Sequence, residues 1–107
     1  MRTEDRARAH AQVFRILGNP LAYRIVLALG RGRRRPIELA RDLNASAPAI
    51  VNQLKVLKIA GIVHYASTAE RRKGRKVTYW LSDPGVLDAF QRLAGVMGKL
   101  WRAAGQA

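Results

Sequence analysis

Two kinds of side chain in this sequence have a type and spacing that could do chemistry. One is the group Asn52, Gln53 and Lys55; the other is a set of arginine and lysine clusters. An amide held outward donates and accepts at once, which matches the donor and acceptor on the major-groove edge of adenine, while a cation reaches phosphate oxygens. The cations gather twice. Arg31, Arg33, Arg34 and Arg35 lie between Gly30 and Pro36, and Arg71, Arg72, Lys73, Arg75 and Lys76 follow the acid Glu70. Each cluster has an ordinary reading as a solvated basic loop or hairpin tip, beside the sharper reading of contact with the phosphates of a polyanion. The balance of the chain agrees with the second: 20 Lys+Arg against 7 Asp+Glu in 107 residues give +13 at pH 7. Such a charge calls for a polyanionic partner, nucleic acid first and an anionic membrane surface second.

Other chemistry is missing. With no cysteine there is no disulfide, thiolate metal site or thiol switch. Transition-metal sites usually take three or four ligands, and His10 and His64 are the two histidines, each reading as satisfied or solvent-facing. There are no paired carboxylates at a plausible site and no glycine-rich phosphate loop between a strand and a helix. The expectation is therefore a chain that is not an enzyme and has no catalytic residues, metal ligands or cofactor. No apolar run is long enough to span a bilayer and no signal-peptide pattern opens the chain, so the expected location is the cytoplasm.

The elements that must position the amides and cations form one domain over 1–107. Leu39 and Leu43 fall four apart with Ala40 beside them, on a short helix over 38–43 that Pro36 pre-sets. Asn44-Ala45 breaks the pattern. Ser46 can cap a second helix, with Pro48 tolerated in its first turn and Gly61 ending it. Ile50, Leu54 and Leu57 then face inward, while Pro48, Asn52, Lys55, Val56 and Ile59 lie on or near the other side and Gln53 on the flank. This makes a helix-turn-helix over about 37–61, although an ordinary helical hairpin within a core shows the same pattern. Ile62 to Ala66 and Val77 to Leu81 are β-favouring and flank the polar segment 67–76, a two-stranded hairpin over about 62–81.

Helices over about 3–17 and 86–103 enclose this unit. Thr3 can cap the first, whose Ala7, His10, Phe14 and Leu17 share a face; Pro20 opens a scaffold helix with Leu21, Ile25, Val26 and Leu29 inward. Ser82 to Gly85 caps the last helix, where Val86, Phe90, Leu93, Met97 and Leu100, thickened by Leu87, Ala94 and Trp101, make more apolar face than one chain needs. A second copy would cover it. Gly95 and Gly98 either permit close helix approach or are tolerated there.

With these elements placed, the chain resembles the ArsR/SmtB family of winged-helix transcriptional repressors. The residues that carry the likeness are Phe14 to Pro20 followed by Arg24-Ile25-Val26, Glu38-Leu39-Ala40, Ser46, the run from Asn52 to Val63, and Gly74 to Leu81. The resemblance implies a mainly α fold with a β-hairpin wing, in the order α-α-α-α-β-β-α, dimerising through its terminal helices. It implies a homodimer on a roughly palindromic operator in double-stranded DNA, released by a signal. Ser46, Pro48, Ala49, Asn52, Gln53 and Lys55 then fall on the DNA-reading helix, and Arg71, Arg72, Lys73, Arg75 and Lys76 on the wing. Phe14, Phe90, Leu93, Met97, Leu100 and Trp101 fall at the dimer interface. Metal-sensing members carry cysteines near the helix-turn-helix or carboxylate and histidine ligands on the last helix; here 38–43 has no cysteine and the last helix no histidine. The expected signal is therefore neither thiol chemistry nor a metal, and an unidentified effector or sensor protein supplies it. Ala47, Pro48, Ala49 and Val51 stand where many relatives have polar groups, which shifts readout toward thymine methyls and DNA shape. The rival reading is a basic nucleoid- or RNA-binding protein without sequence readout.

Overall fold

A computed structural model describes residues 2–70 and 74–105, with backbone alone for 68–70 and 74–75. The chain runs α1 (Thr3–Leu17), α2 (Pro20–Leu29), α3 (Pro36–Asp42), α4 (Ala47–Ile59), β1 (Val63–Glu70), β2 (Gly74–Leu81) and α5 (Gly85–Ala103), in the expected order. Ala22, Ile25, Val26 and Leu29 of α2 sit at the centre of the core. Around them close Ile16 of α1, Leu39 of α3, Ile50, Leu54 and Leu57 of α4, and Ile62, Val63 and Leu81 at the root of the hairpin.

Turn chemistry fixes the angle between α3 and α4. Asn44 takes φ 51, a left-handed conformation that asparagine tolerates better than most residues, and the Ala45 N–H returns to the Ala40 carbonyl at 2.9 Å. Ser46 Oγ then accepts the Ala49 N–H at 3.2 Å, the expected cap of α4. The far end of α4 stops at Gly61, whose φ of +78 lets the Ile62 N–H reach back to the Leu57 carbonyl at 2.9 Å. Two further ties are not among the expectations, and the second joins residues too far apart in sequence to show as a local pattern. Asn19 Oδ1 accepts from the backbone N–H of Leu21 and Ala22 and so caps α2, and Arg24 Nη2 donates to the Leu43 carbonyl at 3.0 Å, clamping the turn to the scaffold helix.

Several expectations need correction. Thr3 is the first residue of α1 and not its cap; Arg2 holds that place and makes no side-chain capping bond. The face of α1 that meets the core is Val13, Ile16 and Leu17, whereas Ala7, His10 and Phe14 are exposed. The helix carries two apolar stripes, and periodicity alone does not say which one its own core takes. The strands are longer than hydrophobicity suggests: pairing runs from Val63 opposite Leu81 out to Glu70 opposite Gly74, so most of the polar segment 67–76 is ladder. A projecting hairpin needs backbone bonds, not apolar side chains, to continue. Finally, the arginine stretch before α3 is more than a loop, because Arg34 bridges Tyr79 on the edge of β2, with N–H to carbonyl distances of 3.0 and 2.8 Å.

The last helix begins one residue earlier than expected, at Gly85. Asp83 Oδ1 accepts the Gly85 N–H at 2.8 Å, so the capping group comes from within the expected 82–85 segment. Val86, Leu87 and Phe90 pack on the core, yet no described residue of α5 is fully buried. Beyond Phe90 most of the helix is exposed, with Met97 and Gly98 half-buried.

Candidate nucleic-acid interface

The burial of Ile50, Leu54 and Leu57 fixes the rotation of α4, and the rest of the helix follows from 3.6 residues per turn. Pro48, Asn52, Lys55, Val56 and Ile59 are exposed along one outward stripe, with Ser46 exposed at its start. Ala49 and Gln53, four apart on the flank, are half-buried. Asn52 and Lys55 therefore present an amide and a cation side by side. Around them lie Val51, Val56 and Ile59, the last 81% exposed, an apolar fringe without a partner among the described residues.

The hairpin is anchored against the end of this helix. Lys58 Nζ lies 4.6 Å from the centre of the Tyr65 ring, and Tyr65 stacks on its cross-strand partner Tyr79 at 5.7 Å. Burial, and after it the neighbouring Tyr65, push the Tyr79 hydroxyl above the usual tyrosine range. On the opposite face His64 meets Trp80 at 6.4 Å, and the Arg33 guanidinium lies 4.1 Å from the Trp80 ring centre. From this base the strands run outward, with Val63 and Leu81 buried at the root and Tyr65 and Ser67 already exposed further along. Lys76 is half-buried opposite Thr68, and Arg75 stands opposite Ala69 on the backbone ladder. Arg71, Arg72 and Lys73 lie outside the described residues.

Phe14, Phe90, Leu93, Met97 and Trp101, which the resemblance assigns to a dimer interface, lie together on one side of the single chain. With Leu17 and Tyr23 among others they line an apolar groove of about 320 Å³ between α1, α2 and α5. Leu100 stands outside that lining, 54% exposed. Tyr23, 6.2 Å from Phe90 between ring centres, is an addition to the expected surface; its place on the scaffold helix gives no signal for it. His10 and His64 are both exposed, on α1 and β1, and among the described residues no three His, Asp or Glu side chains gather as metal ligands would.

Four helices, a tight turn and a two-stranded wing, followed by a terminal helix, define a winged helix-turn-helix protein. Residues 19–65 match the model of the bacterial regulatory protein arsR family. Over those residues the chain carries the sequence signature of that family. It is 32% identical over 90 residues to a transcriptional repressor SmtB homolog of Synechocystis sp., covering 84% of this chain. It is 39% identical over 75 residues to the HTH-type transcriptional repressor SmtB of Mycobacterium tuberculosis, covering 70% of this chain. The matches span 64% and 52% of those relatives' lengths. In shape the chain is similar to the homodimeric winged helix-turn-helix DNA-binding domain of a possible ArsR-family regulator from Mycobacterium bovis. The TM-score is 0.75 at 22% identity, with 92% of this chain and 86% of that one covered.

Proposed function

We propose that this protein is a homodimeric, sequence-specific DNA-binding transcriptional repressor of the ArsR type that works in the cytoplasm. The observation that carries the reading is the outward stripe of α4, where Asn52 and Lys55 project from a helix locked to the core by Ile50, Leu54 and Leu57. A rigid helix that offers an amide and a cation can enter a major groove and read base edges. Arg75 and Lys76, together with Arg71, Arg72 and Lys73, supply phosphate contacts on the wing in this reading. The +13 charge and the repressor names of the relatives support it.

The second copy in the dimer covers the groove between α1 and α5. Phe14 at 60% and Trp101 at 62% exposure leave rings in water that a small monomer seldom tolerates together. The signal that releases DNA is neither a thiol reaction nor a metal, given the side chains available.

Selection of genomic DNA fragments with the purified protein tests the reading. One preferred site, bound ~10³-fold or more over bulk DNA, is the expected result. Uniform binding to all fragments, or equal binding to RNA, would favour a basic coat protein instead.

A further inference from the structure

The arginine stretch between α2 and α3 closes one side of a second cavity, of about 340 Å³, in which the proposed DNA face has no part. Leu29, Leu81 and Leu87 give it apolar walls, and Arg31 and Arg33 line its exposed side next to Trp80. The Arg33 guanidinium lies over the Trp80 indole, 4.1 Å from the ring centre to its Cζ, and a planar guanidinium held over a ring can offer its N–H fork to a carboxylate. No aspartate or glutamate lines the cavity among the described residues. Asp83, just before the lining residue Pro84, already accepts the Gly85 N–H. The volume is at the small end of the range for organic ligands, roughly 300–1,000 Å³.

Two cations beside leucine walls suit a ligand that is anionic at one end and apolar along its body. We propose that this cavity binds a small amphipathic carboxylate, aromatic or short aliphatic, forked by Arg33 and packed against Leu29, Leu81 and Leu87, and that this ligand is the effector. A phosphate, free or in DNA, would leave the leucines unused. Trp80 also pairs with His64 at the wing's base, roughly 20 Å along β2 from Gly74.

The regulatory half of the proposal rests on the DNA-binding reading. The cavity lies where the end of α2, the base of β2 and the start of α5 converge, and Leu87 occupies the space a side chain at Gly30 would need. A ligand body there resets the distance between α5 and the wing. In a dimer joined through α5, it thereby resets the distance between the two α4 helices.

Isothermal titration of the full chain without DNA decides the site, using hexanoate and phenylacetate against hexanamide and inorganic phosphate. One saturable site per chain is expected for a carboxylate, with hexanamide and phosphate weaker by about tenfold or more. Arg33→Ala should lose a similar factor and Arg33→Lys less, both with wild-type circular dichroism. Absence of saturable carboxylate binding, amide or phosphate binding as tight, or wild-type affinity in Arg33→Ala would each overturn the site. In anisotropy with the selected duplex, the bound carboxylate should weaken DNA binding on the order of tenfold, and Arg33→Ala should abolish that response. Carboxylate binding with unchanged DNA affinity would overturn the effector role alone. Failure to select any DNA site would overturn the function proposed above, while calorimetry would still decide the cavity.

Discussion

Ser46 and Tyr79 show how single residues set the helix and the wing that are proposed to face DNA. Ser46 Oγ satisfies the Ala49 N–H, one of the donors that a helix start leaves without a partner. Ser46→Ala should cost about 1 kcal/mol of stability in urea unfolding, and Ser46→Asp should restore it. An unchanged midpoint in the alanine variant would mean water replaces the cap at no cost. Tyr79 holds the wing's base through its backbone bridge to Arg34 and its stack on Tyr65. Because its folded pKa is raised, the native state keeps the phenolic proton when the unfolded chain would release it. Its contribution is complete below the ordinary tyrosine value of 10.0 and is lost as the pH climbs through the higher folded value. Chemical denaturation at a series of pH values should therefore show a smaller alkaline loss in Tyr79→Phe than in wild type from about pH 10 upward. Identical slopes would remove Tyr79 as a source of that loss.

Among the elements, the joint of α2 with α5 is the most sensitive to added volume. A Cβ on Gly30 would run into Leu87 Cδ2, while the residue's φ of −62 is one that alanine adopts freely. The entropic gain of such a replacement, about 0.4–1 kcal/mol, opposes an overpacking cost of about 1–3 kcal/mol, so Gly30→Ala should be destabilising by roughly 1 kcal/mol. In a Leu87→Ala background the same change should be neutral or stabilising, and additivity of the two in thermal unfolding would contradict the packing of Leu87 over Gly30. The same elements show what sequence could reveal. Ile50, Leu54 and Leu57 settle the rotation of α4, and with it Asn52 and Lys55, because the side that carries Val56 and Ile59 also carries Asn52 and Lys55, which a core excludes. Helix α1 has two apolar stripes, so only the position of α2 sorts Ile16 from Phe14. The outer ladder of the wing is polar and reads in sequence as a connection; its pairing rests on backbone groups that every residue carries. The Arg34 bridge, the Arg24 clamp and the stack of Arg33 on Trp80 join residues distant in sequence, where local patterns carry no information.

At the scale of the molecule, the chain is more extended than a compact domain of its length. Its radius of gyration is 16.2 Å, against about 13 Å for a compact chain near this length, and its extents are 58 × 40 × 22 Å. The wing projects to meet DNA in this mechanism, and α5 to meet a second copy. Leu93→Glu with Leu100→Glu places charges on that face and should give folded monomers in sedimentation where wild type is dimeric. A wild type that is itself monomeric at micromolar concentration would contradict the dimer. In the proposed mechanism α4 and the wing divide the work of binding: α4 reads bases and the wing holds phosphates. Fluorescence anisotropy over a salt series, with the selected duplex and a scrambled one, tests this division. Asn52→Ala should weaken binding by about 1–3 kcal/mol per half-site on the selected duplex and little on the scrambled one. Arg75→Ala with Lys76→Ala should weaken both and flatten the dependence of log K on log salt by roughly 0.9 for each phosphate that is no longer neutralised. Asn52→Ala weakening both duplexes equally, with the wing variant weakened only on the selected one, would contradict this division between helix and wing.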